Sequence, residues 1–384
     1  MNKNQTRSGE LPLMETNEGI VLFHPHIPQN SKKYVGQVLD SRWIGQGPMV
    51  ERFEKEFEER FGGGCAPLAV GSGTDALHLA YLLAGIQAGD EVIAPVFTCT
   101  ATNIPFLYMG ATIRFADVEK GTLNIDVDHV KRLITPRTKA IVCVHYGGLP
   151  CNMDELHALA HEHGLIIIED AAHALGATYK GKKIGEISHF TMYSFQAIKH
   201  VTTADGGMLL IKDRDLLEKA KRLRWFGIDR SAKQKGIWEN DITEIGYKYQ
   251  MNDMAAAMGI AGLEEFNDTL ALRRRLLARY FDNLKDLDGV KCVGEGYTDR
   301  EHAAWMMTII AERRIELQAH LRANGIESGQ VHYRNDRYSI FGGRQQGAFP
   351  NMDKLEDSYL VLPLHTKMNE THVDRICDVM KKGW

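Results

Sequence analysis

Apolar and polar positions along this 384-residue chain change period several times, and each change marks an element. ERFEKEFEERFG, residues 51–62, places Phe53, Phe57 and Phe61 four apart among charges, which predicts an amphipathic helix stopped by Gly62. GSGTDALHLAYLLAGI, residues 71–86, opens on small residues and passes into a helix-length apolar segment, so a loop there feeds a helix N-terminus. Downstream, DEVIAPV, ATIRFADV, KAIVCVHY, LIIIEDAA and GGMLLIKD are short runs rich in Ile and Val that read as buried strands. Helical segments such as NMDELHALAHEHG, 152–164, fall between them. Strands and helices alternating at this interval predict an α/β fold with a mostly parallel sheet flanked by helices.

From 255 the pattern becomes a long amphipathic helix with a basic face, AAAMGIAGLEEF continuing into LALRRRLLARYFDNL, which ends at 284. Beyond it the alternation is less regular. AAWMMTIIA (303–311) reads as a strand, RRIELQAHLRANGI (313–326) as a helix stopped by Gly325, 332–350 as a loop and 369–381 as a last helix. The chain is longer than one hydrophobic core usually spans. We expect a polar tail over 1–19, a large α/β domain over 20–265 and a smaller α+β domain over 266–384.

Composition narrows the function classes. The net charge of −4 arises from 46 basic and 50 acidic residues mixed along the chain, so no basic field marks a nucleic-acid or membrane surface. The first twenty residues are polar and contain Pro12, unlike a signal peptide, and a cytoplasmic protein is expected. Six cysteines are scattered without a CxxC pair, which implies neither a disulfide framework nor a metal site. Of His157, His161 and His163 in one helical segment, the first pair stands at i, i+4 spacing, but no third ligand on that face or HExxH glutamate accompanies the pair, so a solvated helix face is expected.

Three pieces carry chemistry. Ligands of open α/β sheets gather at the carboxyl ends of strands, and there IIIED brings Glu169 and Asp170 to the end of an otherwise apolar strand. A carboxylate buried there needs a partner, although Asp170 also suits a helix N-cap. The glycine- and hydroxyl-rich loop at 71–74 suits a phosphate at a helix N-terminus. SFQAIKHVTTADGG, 194–207, isolates Lys199 among small and hydroxyl-bearing residues, where a depressed pKa would suit Schiff-base chemistry. Pyridoxal 5'-phosphate (PLP) is the cofactor that asks for all three.

The wording and order of these segments resemble the DegT/DnrJ/EryC1/StrS sugar aminotransferases, PLP enzymes of fold type I. The likeness runs from RWIGQGPMVERFEKEF through GTDAL, EDAAHALG, SFQAIKHVTTADGG and GYKYQMNDMAAAMGIAGLE, and more loosely to the C-terminus. It implies that Lys199 holds PLP as the internal aldimine and moves the proton, with pyridoxamine 5'-phosphate as the intermediate form. Asp170 would pair with the pyridine nitrogen, His173 would lie near the ring hydroxyl, and Ser72, Gly73, Thr74 and Ser194 would hold the phosphate. Thr98 to Thr102 match the segment over the ring face, where Cys99 stands in place of the usual aromatic residue and Phe97 is the alternative cover. Lys248 replaces the Asn that reaches the phosphate from a neighbouring subunit, which implies a homodimer with its site at the interface, and Gln196 stands where His is common.

The resemblance further implies transfer of an amino group, usually from glutamate, to a keto-sugar on the way to an amino sugar of a surface polysaccharide or lipopolysaccharide. Nucleotide-linked 4-keto-6-deoxyhexoses are its commonest substrates. Trp43 and the loop residues His332, Arg334, Arg337 and Arg344 are candidate substrate contacts. Three arginines in one loop suit a carboxylate equally, which leaves open a keto sugar acid such as 8-keto-3-deoxy-octulosonate, the precursor of 8-amino-Kdo. A sugar dehydratase on the same fold would replace the lysine by histidine, and a PLP-binding regulator would be expected to carry a DNA-binding module.

Overall fold

The computed structural model describes residues 13–239 and 241–384, so the first twelve residues of the expected polar tail lie outside the described residues. Seven strands form the main sheet: β1 (Ala66–Val70), β2 (Glu91–Pro95), β3 (Thr112–Ala116), β4 (Thr138–Val144), β5 (Ile166–Asp170), β6 (Phe190–Ser194) and β7 (Gly207–Ile211). Their spatial order is β1-β7-β6-β5-β4-β2-β3, with β7 antiparallel to both neighbours and the remaining pairs parallel. All five strands read from the sequence are present. Two more, β1 and β6, were not foreseen.

Helices cover both faces, which is why the central strands are mostly apolar. One face packs against α2 (Pro48–Phe57), α5 (Met153–His163) and α6 (Asp253–Glu264), with Phe53, Phe57 and Phe61 in its core. The other packs against α3 (Gly73–Leu83) and α4 (Thr100–Met109). α2 runs on as a π-helical turn, Glu58–Gly62, before Gly63 turns left-handed at φ 52°. Its N-terminus is capped from afar, because both Asp253 carboxylate oxygens accept N–H groups of Gly47, Met49 and Val50. α1 (Ser31–Leu39) lies against α6.

The expected single helix after 255 is two, α6 and the 19-residue α7 (Phe266–Leu284), broken at Glu265. α7 packs with α8 (Arg314–Ala323), α9 (Glu370–Lys381) and an antiparallel sheet, β8 (Val290–Cys292), β9 (Met307–Ala311) and β10 (Tyr359–Leu362), around a second core. β9 begins only at Met307, so Trp305 stands just before the expected strand becomes one. The N-terminal segment joins this second core. Ile20 is buried there and bridges Ile326, and Glu327 accepts the amides of Met14 and Leu22. Among the described residues no helix is long and apolar enough to cross a membrane.

Candidate active site

A cavity of about 290 Å³ opens where β1, β4, β5 and β6 end. Ser72 leaves β1 with an extended backbone and caps α3, its Oγ accepting the Asp75 amide at 3.1 Å. The next N–H groups, on Gly73 and Thr74, are among those a helix leaves without internal acceptors. Glycine at two positions lets this loop press on the sheet. A Cβ at Gly73 would meet Met192 Sδ at 3.1 Å and Ser194 Cβ at 3.2 Å, and one at Gly207 would meet Ser72 O at 2.5 Å. Ser72, Gly73, Thr74 and Ser194 therefore share one wall.

Asp170 ends β5 in the same cavity and is 4% exposed. Its Oδ2 accepts the Thr102 hydroxyl at 2.7 Å and its Oδ1 the Ala172 amide at 3.1 Å. Burial pushes this carboxyl above its ordinary range, while the two hydrogen bonds and the charge of Lys199 pull the other way. Strand alternation turns Glu169 to the opposite face, where His145 Nε2 meets it at 2.8 Å. His145 Nδ1 accepts the Cys151 amide, so both ring nitrogens are engaged although the thiols of Cys143 and Cys151 lie close by. His157, which the sequence reading placed on a solvated face, is partly buried and bonds Ser188 at 2.9 Å.

Lys199 follows a tight turn closed by its amide to Gln196 O (2.9 Å), and the loop returns with Thr203 N to Phe195 O (2.9 Å) and Phe195 N to Gly206 O (2.8 Å). That loop explains the small residues and the glycine pair. Burial brings the amine's pKa down to about 7, with Asp170 and Cys99 opposing the shift and Arg273 adding to it. His173 stacks on Trp305 at 3.8 Å, and the His332 ring lies parallel to it at 5.3 Å. Burial holds both imidazoles neutral, with His332 pushed down to about 3 and His173 well below the usual range. His173 Nδ1 and His332 Nε2 are buried without a hydrogen-bond partner.

Other expected site residues stand elsewhere. Of the two candidates for the ring face, Cys99 is exposed and lines the cavity, whereas Phe97 is 1% exposed and packs on Tyr146 and Tyr359 in the core. Phe97 is thus a core residue, held there by the strand pairing of Phe97–Thr98 with Tyr333–Arg334. Arg334 is also corrected. It is fully buried, forked onto Asp336 at 2.6 and 2.8 Å, and it also contacts Asp353 and Glu356. Arg344 pairs with Glu356 at 2.6 Å, and Arg337 is exposed over the Tyr333 ring. Only His332 of that loop's four candidates lines the cavity. Trp43 is 40% exposed beside Arg42, and Lys248 lies over Trp225 at 4.1 Å, both outside this cavity. Sequence reasoning missed Trp305, whose segment reads as a strand, and gave no separate role to Thr102.

These residues fit PLP. A glycine-opened helix N-terminus faces the cavity, a buried carboxylate keeps lone pairs beyond its two hydrogen bonds, and a buried imidazole nitrogen lacks a partner. Known proteins agree. Residues 25–381 match the model of the DegT/DnrJ/EryC1/StrS aminotransferase family. A GDP-perosamine synthase of Escherichia coli O157:H7 is 34% identical over 94% of this chain and 97% of its own. The crystal structure of the sugar aminotransferase CalS13 from Micromonospora echinospora superposes with a TM-score of 0.90 at 32% identity, covering 95% of this chain and all of that one. The PLP form of a sugar aminotransferase from Streptococcus pneumoniae gives 0.89 at 27%, covering 95% and 98%.

Proposed function

The chain belongs to the DegT/DnrJ/EryC1/StrS aminotransferase family and is a PLP-dependent sugar aminotransferase of amino-sugar biosynthesis, and we propose that it moves an amino group from glutamate to a nucleotide-linked 4-keto-6-deoxyhexose. One observation carries the site assignment: Lys199, Asp170 and the Ser72–Thr74 turn line one cavity. PLP bound there supplies an electron sink and the carbonyl carbon that carries the amino group. Ser72, Ser194 and the amides of Gly73 and Thr74 would hold its phosphate, with the helix dipole adding to them. Asp170, whose charge burial disfavours, would gain a stabilising cation by pairing with a protonated ring nitrogen. Lys199 would bond the cofactor, and its amine would be the group that carries a proton there. His173 and Cys99, which line the same cavity, would hold the ring's edge and face.

The nucleotide-linked class is supported by the relative whose name specifies a GDP-linked amino sugar. The sugar-acid reading rested on three loop arginines, and Arg334 already grips a carboxylate bidentately, that of Asp336. Lys199 occupies the position at which a dehydratase would carry histidine. The active unit is proposed as a homodimer in which Lys248, held outside its own cavity, approaches the neighbouring subunit's phosphate site. The test is the absorption spectrum of the PLP-loaded protein before and after glutamate, beside Lys199→Ala, followed by a screen of nucleotide-linked and acidic keto-sugars. Conversion by glutamate in wild type only, and turnover of a nucleotide-linked substrate, is expected. A spectrum unchanged by glutamate would sink the donor assignment, and turnover of acidic keto-sugars alone would sink the acceptor.

A further inference from the structure

Trp305 touches Lys199 from two directions. The amine Nζ lies 3.5 Å from the indole centroid, and the indole Nε1 donates to the carbonyl of Ile198, the residue before the lysine, at 3.1 Å. One side chain thus contacts both the backbone that carries the lysine and the amine at its tip. Among the described residues no carboxylate comes within salt-bridge distance of that amine. Asp170, Cys99 and Arg273 act on it at longer range.

The indole is itself fixed from every side. His173 stacks on it at 3.8 Å and Phe23 at 5.7 Å. Its amide and that of Met306 both donate to Gly147 O, at 3.0 and 3.1 Å, and its carbonyl accepts from the buried Arg273, which also donates to Leu364 O. The preceding Ala304 has φ 55°, a left-handed conformation that a residue with a Cβ seldom adopts. Backbone strain of this kind persists where surrounding contacts over-determine it, often beside functional groups.

We propose that Trp305 is a positioning residue for Lys199, its indole face holding the lysine amine at one place so that it meets the cofactor aldehyde. A lysine side chain has four rotatable bonds, and a free amine in a cavity of this size would sample many positions. The bond-forming step joins Nζ to the aldehyde carbon as C=N, and two amine hydrogens leave with the aldehyde oxygen as one water. Nothing is oxidised or reduced. Burial makes the lone pair available, and Trp305 settles where it points. The inference rests on the assignment of Lys199 as the PLP-bearing residue.

The experiment compares apoprotein of wild type, Trp305→Leu, Trp305→Phe and Lys199→Ala. It follows the band of lysine-bound PLP as the cofactor is added, and separately measures affinity for pyridoxamine 5'-phosphate, which cannot bond the lysine. Trp305→Leu is expected to slow attachment about tenfold, because an amine no longer held at one place loses the advantage of orientation, with pyridoxamine phosphate affinity within about twofold of wild type. Trp305→Phe, which keeps a ring face and loses the N–H, should recover most of the rate. Attachment at the wild-type rate in Trp305→Leu overturns the proposal. So does an equal loss of attachment and pyridoxamine phosphate affinity, which marks a merely structural residue. A lysine-bound band persisting in Lys199→Ala would instead overturn the assignment of Lys199.

Discussion

The cavity wall and the loop at 330–347 are both rich in ionisable groups, and they use charge in opposite ways. In the cavity, Lys199 and Asp170 lie in one pocket without forming an ion pair, each shifted toward its neutral form by burial. In the loop, the fully buried Arg334 is matched by Asp336, Asp353 and Glu356, and Arg344 joins the same cluster. A burial that leaves charges incompletely matched makes them available for chemistry. One that matches them makes a brace. Both segments look alike in a sequence, because what separates them is whether a counter-charge arrives from elsewhere in the chain.

The largest effect that tests this contrast is at Lys199. Lys199→Ala should lower turnover by at least roughly a thousandfold while leaving the thermal midpoint near that of wild type, since no ion pair is lost. Asp170→Asn should cost about a hundredfold, because the amide cannot stabilise a protonated ring nitrogen. Steady-state kinetics beside thermal melts check both. A mutant that melts far below wild type and retains its turnover would reverse the roles assigned to cavity and loop.

Arg334→Ala reads the other side. Removing one partner from a buried ion cluster leaves Asp336 uncompensated and should destabilise the fold by about 3–5 kcal/mol, with kcat of the remaining folded protein within about threefold. Denaturant unfolding and kinetics on the same sample separate the two. If KM for a nucleotide-linked keto-sugar rises while stability holds, Arg334 touches substrate and the brace reading fails.

Much of this was legible in the sequence, and the failures have causes. Five of the seven central strands announce themselves by Ile and Val. β1 does not, because it follows three glycines and contains Pro67, which an edge strand tolerates and a central one does not. β6, FTMYS, carries polar residues on a buried strand, where Thr191 bonds Glu169. The break at Glu265 has neither Gly nor Pro to signal it. Lys199, Asp170 and the 72–74 turn stand out in the sequence because their local wording is distinctive, and they line one cavity. Arg334 was misjudged because two of its three partners lie 19 and 22 residues further along the chain.

A smaller effect lies in pH. The Lys199 amine attacks only when deprotonated, so with its pKa near 7 the rate of PLP attachment to apoprotein should fall about tenfold per unit below pH 7 and level off above it. An unshifted lysine, near about 10.4, would keep gaining rate up to pH 10. Stopped-flow absorbance from pH 6 to 10 distinguishes these shapes. Continued rise through pH 9 would mean that burial is not exerting the assigned effect.

The smallest effect is expected at Arg337, the loop arginine that escapes the ion cluster. It is exposed and stacked on Tyr333, with its guanidinium 4.4 Å from the ring centroid, and it does not line the cavity. An exposed cation–π contact contributes on the order of 0.5–1 kcal/mol, so Arg337→Ala should lower stability by no more than that and alter KM by less than about threefold. A diphosphate contact behaves differently, since losing a charged hydrogen bond to a phosphate weakens binding by roughly 1.5–3 kcal/mol, or more than tenfold in KM. A rise of that size for a nucleotide-linked sugar, absent for the glutamate half-reaction, would return Arg337 to the substrate site. The loop would then brace the fold through Arg334 and bind the acceptor through Arg337, and the division between chemistry and brace would run through one segment instead of between two.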